Sequence, residues 1–132
     1  MPKIFTSEKQ KIGETGEEVA AKFLMKRGFS IVERNYTKKW GEIDIVALKG
    51  GKIYFVEVKS VTCSTFDQIE RETSYRPEEN MHPWKLKRLA RTIQTYMLSH
   101  KVESDWQVDL ALVYLNMATR KAKVKILSDI VL

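Results

Sequence analysis

Little in this chain can be held together by anything but packing. A single cysteine, Cys63, excludes an internal disulfide and any site built from several thiolates, so a bound metal would sit on oxygen. The two histidines, His82 and His100, show no ligand spacing and read as surface residues. No apolar run approaches the ~20 residues of a membrane helix. The first ten residues carry Lys3, Glu8 and Lys9 where a secretory signal would have its apolar centre. We therefore expect a cytoplasmic protein with no membrane partner. Only three prolines and six glycines punctuate 132 residues, with no linker, repeat or low-complexity tract, so residues 1–132 read as a single domain. Charge is in excess on one side: 23 Lys and Arg against 17 acids give +6. That favours a polyanionic partner such as nucleic acid, but equally suits plain solubility until the charges are placed.

Ser7 and Glu8 make a plausible helix start. Ile12, Gly16, Val19, Ala20, Phe23 and Leu24 then recur on one helical face, and Gly28 is a natural stop. At 100° per residue Glu14 and Glu18 point away from that stripe, whereas Glu17 lies on its border and can look inward. Strand-like segments follow at Ser30–Tyr36, Glu42–Leu48 and Ile53–Lys59, the last two joined by Gly50 and Gly51. Ser60 to His82 reads as a long connection, a candidate lid or substrate-facing loop. Pro83 opens a second helix with Leu86, Leu89, Ala90, Ile93, Tyr96 and Met97 inward. Trp106–Leu115 and Lys121–Leu127 close the chain as strands; in the second, Lys121, Lys123 and Lys125 alternate with Ala122, Val124 and Ile126, as on a guarded sheet edge. The order α-β-β-β-α-β-β predicts an α/β domain with a mixed sheet flanked by helices.

The central hairpin carries the chemistry. With Gly50 and Gly51 as the loop, Lys49 faces Lys52, Asp44 faces Glu57 and Glu42 faces Lys59, all four of the latter on one face. The other face pairs Ile43 with Val58, Ile45 with Val56 and Ala47 with Tyr54. Two like charges with Cβ atoms ~5 Å apart destabilise a sheet unless a cation neutralises them. Mg²⁺, or Mn²⁺, suits one or two carboxylates with waters and a substrate phosphate, and the carbonyl of Val58 could add a ligand. Lys59 would stabilise the charge of a pentavalent phosphate or orient the attacking water. The plainer reading is a solvated hairpin end with Glu42 and Lys59 as an ordinary ion pair. A three-residue loop would separate Asp44 from Glu57 altogether.

Gly41-Glu42-Ile43-Asp44 and Phe55-Val56-Glu57-Val58-Lys59, preceded by Gly13-Glu14 and Gly16-Glu17, resemble the YraN family of small bacterial endonuclease-related proteins. Pro83, Lys85, Arg88, Ala90, Tyr96 and Asp109 continue the likeness, which runs from Gly13 to about Val113. That family in turn resembles the PD-(D/E)xK nucleases of restriction-endonuclease-like fold and the archaeal Holliday junction resolvases. The resemblance implies Asp44 and Glu57 as metal ligands, Lys59 as the catalytic lysine and Glu17 as the first-helix acid.

On the second helix Lys85, Lys87, Arg88 and Arg91, with Trp84, form a basic outer face on which phosphates could dock and a base could stack; alone, such a face is as well read as solvated. Asp109 stands among apolar neighbours as a functional or a structural acid, Cys63 reads as a bystander thiol and Trp40 as a packing residue. The expectation is a Mg²⁺- or Mn²⁺-dependent phosphodiesterase acting on DNA, branched or otherwise structured. The alternatives are a non-catalytic nucleic-acid- or partner-binding module on the same fold, and an RNA-processing nuclease. Cleavage of two strands would call for a homodimer, although no seam is evident in the sequence.

Overall fold

A computed structural model describes residues 8–63 and 82–132. The elements are α1 (Glu8–Lys26), β1 (Ser30–Lys38), β2 (Gly41–Lys49), β3 (Lys52–Thr62), α2 (Pro83–Ser99), β4 (Trp106–Asn116) and β5 (Lys121–Leu127). They form one sheet in the order β1-β2-β3-β4-β5, antiparallel except for the parallel β3–β4 pair. This is the α/β architecture and element order that the sequence predicts. The Ser7 cap and residues 64–81 of the expected connection lie outside the described residues.

One helix covers each face. α1 packs Ala20, Ala21 and Leu24 on Ile45, Ala47, Val56, Ala111 and Val113. α2 packs Leu89, Ile93 and Tyr96 on Ile43, Val46, Phe55 and Val108. α1 stops where Gly28 takes a left-handed φ of 89°, its N–H bonding to Met25 and that of Phe29 to Leu24. Gly50 and Gly51, at φ 59° and 77°, turn the hairpin and set the register Lys49–Lys52 through Ile45–Val56 that the sequence predicts. β5 is an edge strand, as its alternating lysines indicate.

Three expectations need correction. β3 continues past Lys59 to Thr62, because Ser60, Val61 and Thr62 find parallel partners in Val113, Tyr114 and Leu115; pairing with a distant strand outweighs weak local signal. In α2 Ala90 is only half-buried, whereas Thr92 is fully buried and donates to the Arg88 carbonyl. Most importantly, the β2–β3 ladder ends at Ile45–Val56. Asp44 and Glu57, and Glu42 and Lys59, are therefore not ladder partners, and Ile43 does not sit opposite Val58.

Ile43 and Ile45 have the same parity yet pack on opposite faces, so β2 rotates between them at Asp44. The neighbouring strand shows why. Asn35 takes a left-handed φ of 54°, and around it the β1–β2 ladder passes from Arg34–Ile45 to Tyr36–Ile43. Arg34 reaches Glu18 on the α1 side, while Tyr36 packs on the α2 side. The twist opens the sheet between the two helices.

Two glycines let those helices come close. A methyl group on Gly16 would collide with Ser60 Oγ and lie 2.9 Å from Ser60 Cβ; one on Gly41 would collide with Thr92 Oγ1 and lie 3.0 Å from the Arg88 carbonyl. Gly16→Ala should destabilise the protein by about 1–2 kcal/mol, overpacking outweighing the ~1 kcal/mol gain in helix propensity. Denaturant unfolding checks this, and adding Ser60→Gly should recover most of the loss.

Candidate active site

Where β2 and β3 part, the Asp44 carboxylate replaces the missing ladder: its Oδ2 accepts the Val58 N–H at 2.8 Å. This fixes the side chain in the opening, where Asp44 and Glu57 line the same two cavities and repel each other. The two acids thus meet at the same cavities, but through a side chain bridging splayed strands and not through the expected cross-strand pairing.

Asp44 and Glu57 line two cavities. One, ≈ 430 Å³, lies toward α1 and also takes in Gly13, Glu17, Val58, Lys59, Ser60 and Lys85. The other, ≈ 380 Å³, lies toward α2, with Gly41, Glu42, Trp84, Lys85, Arg88 and Leu89. At about 30 Å³ per water, either holds a hydrated ion with part of a ligand. A third cavity of ≈ 410 Å³, between α1 and the β4–β5 turn, has Glu8 as its single acid.

The electrostatics are those of crowded acids. Burial pushes the Glu57 carboxyl up, the Asp44 charge adds to this and Lys85 opposes it. Burial also raises Asp44, against the pull of the Val58 N–H. The two titrate as a pair that retains a proton longer than ordinary carboxyls do. Glu17 is pushed up to about 7, by burial first, then by Asp44 and Glu42, with Arg34 acting the other way. Asn35 ties the outer acids together. With the amide oriented so that its nitrogen faces these acceptors, the assignment that satisfies both, it donates to Glu17 Oε1 at 2.7 Å and Glu42 Oε1 at 2.9 Å.

The candidate residues from the sequence divide clearly. Glu17, Asp44, Glu57, Val58 and Lys59 meet at one cavity. Of the basic residues on α2, Arg88 reaches the second cavity and Lys85 reaches both, whereas Lys87 and Arg91 are exposed outside them; Arg91 lies over the Trp40 ring at 4.4 Å. Asp109 is structural: 5% exposed, it accepts from Gln107 at 2.7 Å and from the Asp129 N–H at 2.9 Å, pinning the C-terminal segment.

Two contributors were missed. Asn35 carried no motif, although asparagine is among the few residues that adopt left-handed φ readily. Lys85, expected on the nucleic-acid face, also stands as a cation at the acids, its Nζ 3.6 Å from Glu57 Oε1. A signal was present: Lys85, Leu89, Thr92 and Tyr96 lie on one helical line, so the buried stripe continues into the lysine.

Among the described residues no three His, Cys, Asp or Glu side chains form a ready cage for a metal. The donors nevertheless fit a hard cation: two adjacent carboxyls of raised proton affinity beside a water-sized space match Mg²⁺, which keeps several waters and takes one or two carboxylates. No described helix is long and apolar enough to cross a membrane.

Residues 16–113, which hold every acid of the cleft, match the family model described as "Uncharacterised protein family UPF0102". A UPF0102 protein of Campylobacter jejuni is 42% identical over 98 residues, 74% of this chain and 79% of the relative. One from Campylobacter lari is 36% identical over 118 residues, 89% and 91% of the two chains, and one from Helicobacter hepaticus 36% over 101 residues, 76% and 82%. With this match and these relatives, the chain belongs to the UPF0102, or YraN, family.

Proposed function

We propose that the cleft is the active site of a Mg²⁺- or Mn²⁺-dependent phosphodiesterase that cleaves DNA. The observation that carries this reading is the meeting of Asp44 and Glu57 from two parting strands, with Lys59 and Lys85 on the walls of the same cavity. A divalent cation bound there would polarise the phosphate and acidify the attacking water.

The protein's own groups do the rest. Asp44, held by the Val58 N–H, and Glu57 would hold the cation through their carboxylate oxygens, with the Val58 carbonyl as a further donor. Lys59, between Val58 and Ser60 on the cavity wall, orients the water or stabilises negative charge on the phosphate in the transition state. Lys85 neutralises the acids before substrate arrives; at 57% exposed it is free to turn from Glu57 toward a phosphate. Glu17, held by Asn35, contributes through water or positions Lys59. Arg88 and Lys85, with Lys87 and Arg91 further out, receive the flanking phosphates.

The test is cleavage of duplex, single-stranded, flap and four-way DNA with Mg²⁺ and with Mn²⁺. Activity that a chelator abolishes and that depends on Asp44 and Glu57 is expected. Cleavage unchanged in Asp44→Ala or Glu57→Ala would overturn the assignment.

The Lys85–Glu57 ion pair favours one other reading, a DNA-binding module of the same fold in which lysine has taken the cation's place. It predicts salt-sensitive binding, no cleavage, and no heat of Mn²⁺ binding that depends on Asp44. An RNA substrate would be separated from DNA by competition.

A further inference from the structure

Among the described residues, Trp84 is the one large apolar side chain on the cleft that is left open. It is the second residue of α2, 52% exposed, and lines the ≈ 380 Å³ cavity together with Asp44, Glu57 and Arg88. It is also held in place. Its backbone N–H donates to the N-cap His82 Nδ1 at 3.4 Å, and the imidazole lies beside the indole, the two rings 5.4 Å apart. One turn along, the Arg88 guanidinium stands 5.3 Å from the indole centroid, itself anchored by an Nε hydrogen bond of 2.8 Å to the Trp40 carbonyl. An indole supported in this way, with half its surface free beside acids and basic side chains, has the properties of a stacking platform for a nucleobase.

We infer that Trp84 stacks on a base at the scissile position, and that the cleft therefore selects DNA whose bases are unpaired there. The inference rests on the reading of the cleft as a DNA phosphodiesterase and adds a substrate class to it. In a continuous duplex each base is already stacked on its neighbours and its face is closed to the protein. At a nick-flanking tail, flap, gap or branch a base is free to leave the stack at little expense, and Trp84 replaces the lost partner. Lys85 and Arg88, on the same cavity wall, hold the phosphates either side. Stacking ignores base identity, so the selection is for structure and not for sequence.

Binding without metal tests this separately from cleavage. Anisotropy of labelled DNA is measured in a chelator for an oligothymidylate, a blunt duplex, and the same duplex with an unpaired tail, alongside quenching of the intrinsic indole fluorescence. Oligothymidylate and the tailed duplex should bind more tightly than the blunt one. Trp84→Ala should weaken the first two about tenfold or more, change blunt-duplex binding less than about twofold, and remove most of the quenching, while Trp84→Phe restores affinity. Equal losses on tailed and blunt DNA, no loss on either, or no DNA binding at all would overturn the inference. A surface that served a protein partner would give the second of these. The first two outcomes leave Asp44-dependent cleavage untouched, since its loss is read independently.

Discussion

Asp44→Asn should reduce metal-dependent DNA cleavage by about a thousandfold or more and at the same time raise the melting temperature of the metal-free protein. The catalytic loss follows from removing one of the two carboxylates proposed to hold the cation. Lewis-acid stabilisation of several kcal/mol, at 1.36 kcal/mol per tenfold in rate, is on the order of a thousandfold. The gain in stability follows from the same geometry. Asp44 is buried among Glu57, Glu42 and Glu17, each of which it repels, and an asparagine oxygen can still accept the Val58 N–H. Asp44→Ala separates the two effects. It removes the charge but leaves the Val58 N–H without its partner, which costs about 1–3 kcal/mol. The alanine variant should therefore be as inactive as the asparagine variant but less stable than it. Rates on the preferred DNA and thermal denaturation of both variants decide the matter. Undiminished cleavage in Asp44→Asn would end the phosphodiesterase reading, and an unchanged melting temperature would end the account of charge crowding.

How much of this site is legible in the chain depends on how local its causes are. The Gly50-Gly51 turn fixes the register from Lys49–Lys52 to Ile45–Val56, and Glu17 declares itself by its place on the α1 stripe; both are short-range consequences of backbone geometry. The end of the ladder is different. Whether β2 and β3 stay paired to Asp44 depends on Asn35 in a third strand, whose left-handed φ rotates its neighbour, and no pattern within the hairpin encodes that. The acids therefore come together for a reason other than the one their spacing suggests. Lys85 illustrates the intermediate case. Its orientation follows from the docking of α2 on β2, where Gly41 admits Thr92 and the Arg88 carbonyl. Counting Thr92 as a core residue would have extended the stripe Tyr96-Thr92-Leu89 one turn to Lys85. A polar side chain that satisfies itself on its own helix, as Thr92 does through Arg88, is easily left out of a core read from hydropathy.

Stability against pH should show the same acids in a second way. Glu17, Asp44 and Glu57 all hold their protons more tightly in the folded chain than in the unfolded one, where they titrate near their ordinary values of 4.5, 3.8 and 4.5. Above those values the folded state carries more protons than the unfolded, so stability falls as pH rises. The contribution of Glu17 is fully present below about pH 4.5 and is lost as the pH passes through about 7, and the Asp44–Glu57 pair works in the same direction. The melting temperature of the metal-free protein should accordingly drop by several degrees between pH 5.5 and 8. Mn²⁺ competes with the proton for the same oxygens. At a hundredfold excess over its dissociation constant it should add about 2.7 kcal/mol, a rise on the order of 10 °C for a domain of this size. That rise should be far larger at pH 8 than at pH 5.5, where the pair holds its proton, and should vanish in Asp44→Asn. Differential scanning calorimetry over this range, with Mn²⁺ and with a chelator, reads both effects. A melting temperature that climbs with pH in the chelator would show that the acids are not crowded. A Mn²⁺ shift of equal size at both pH values would show that the ion binds elsewhere.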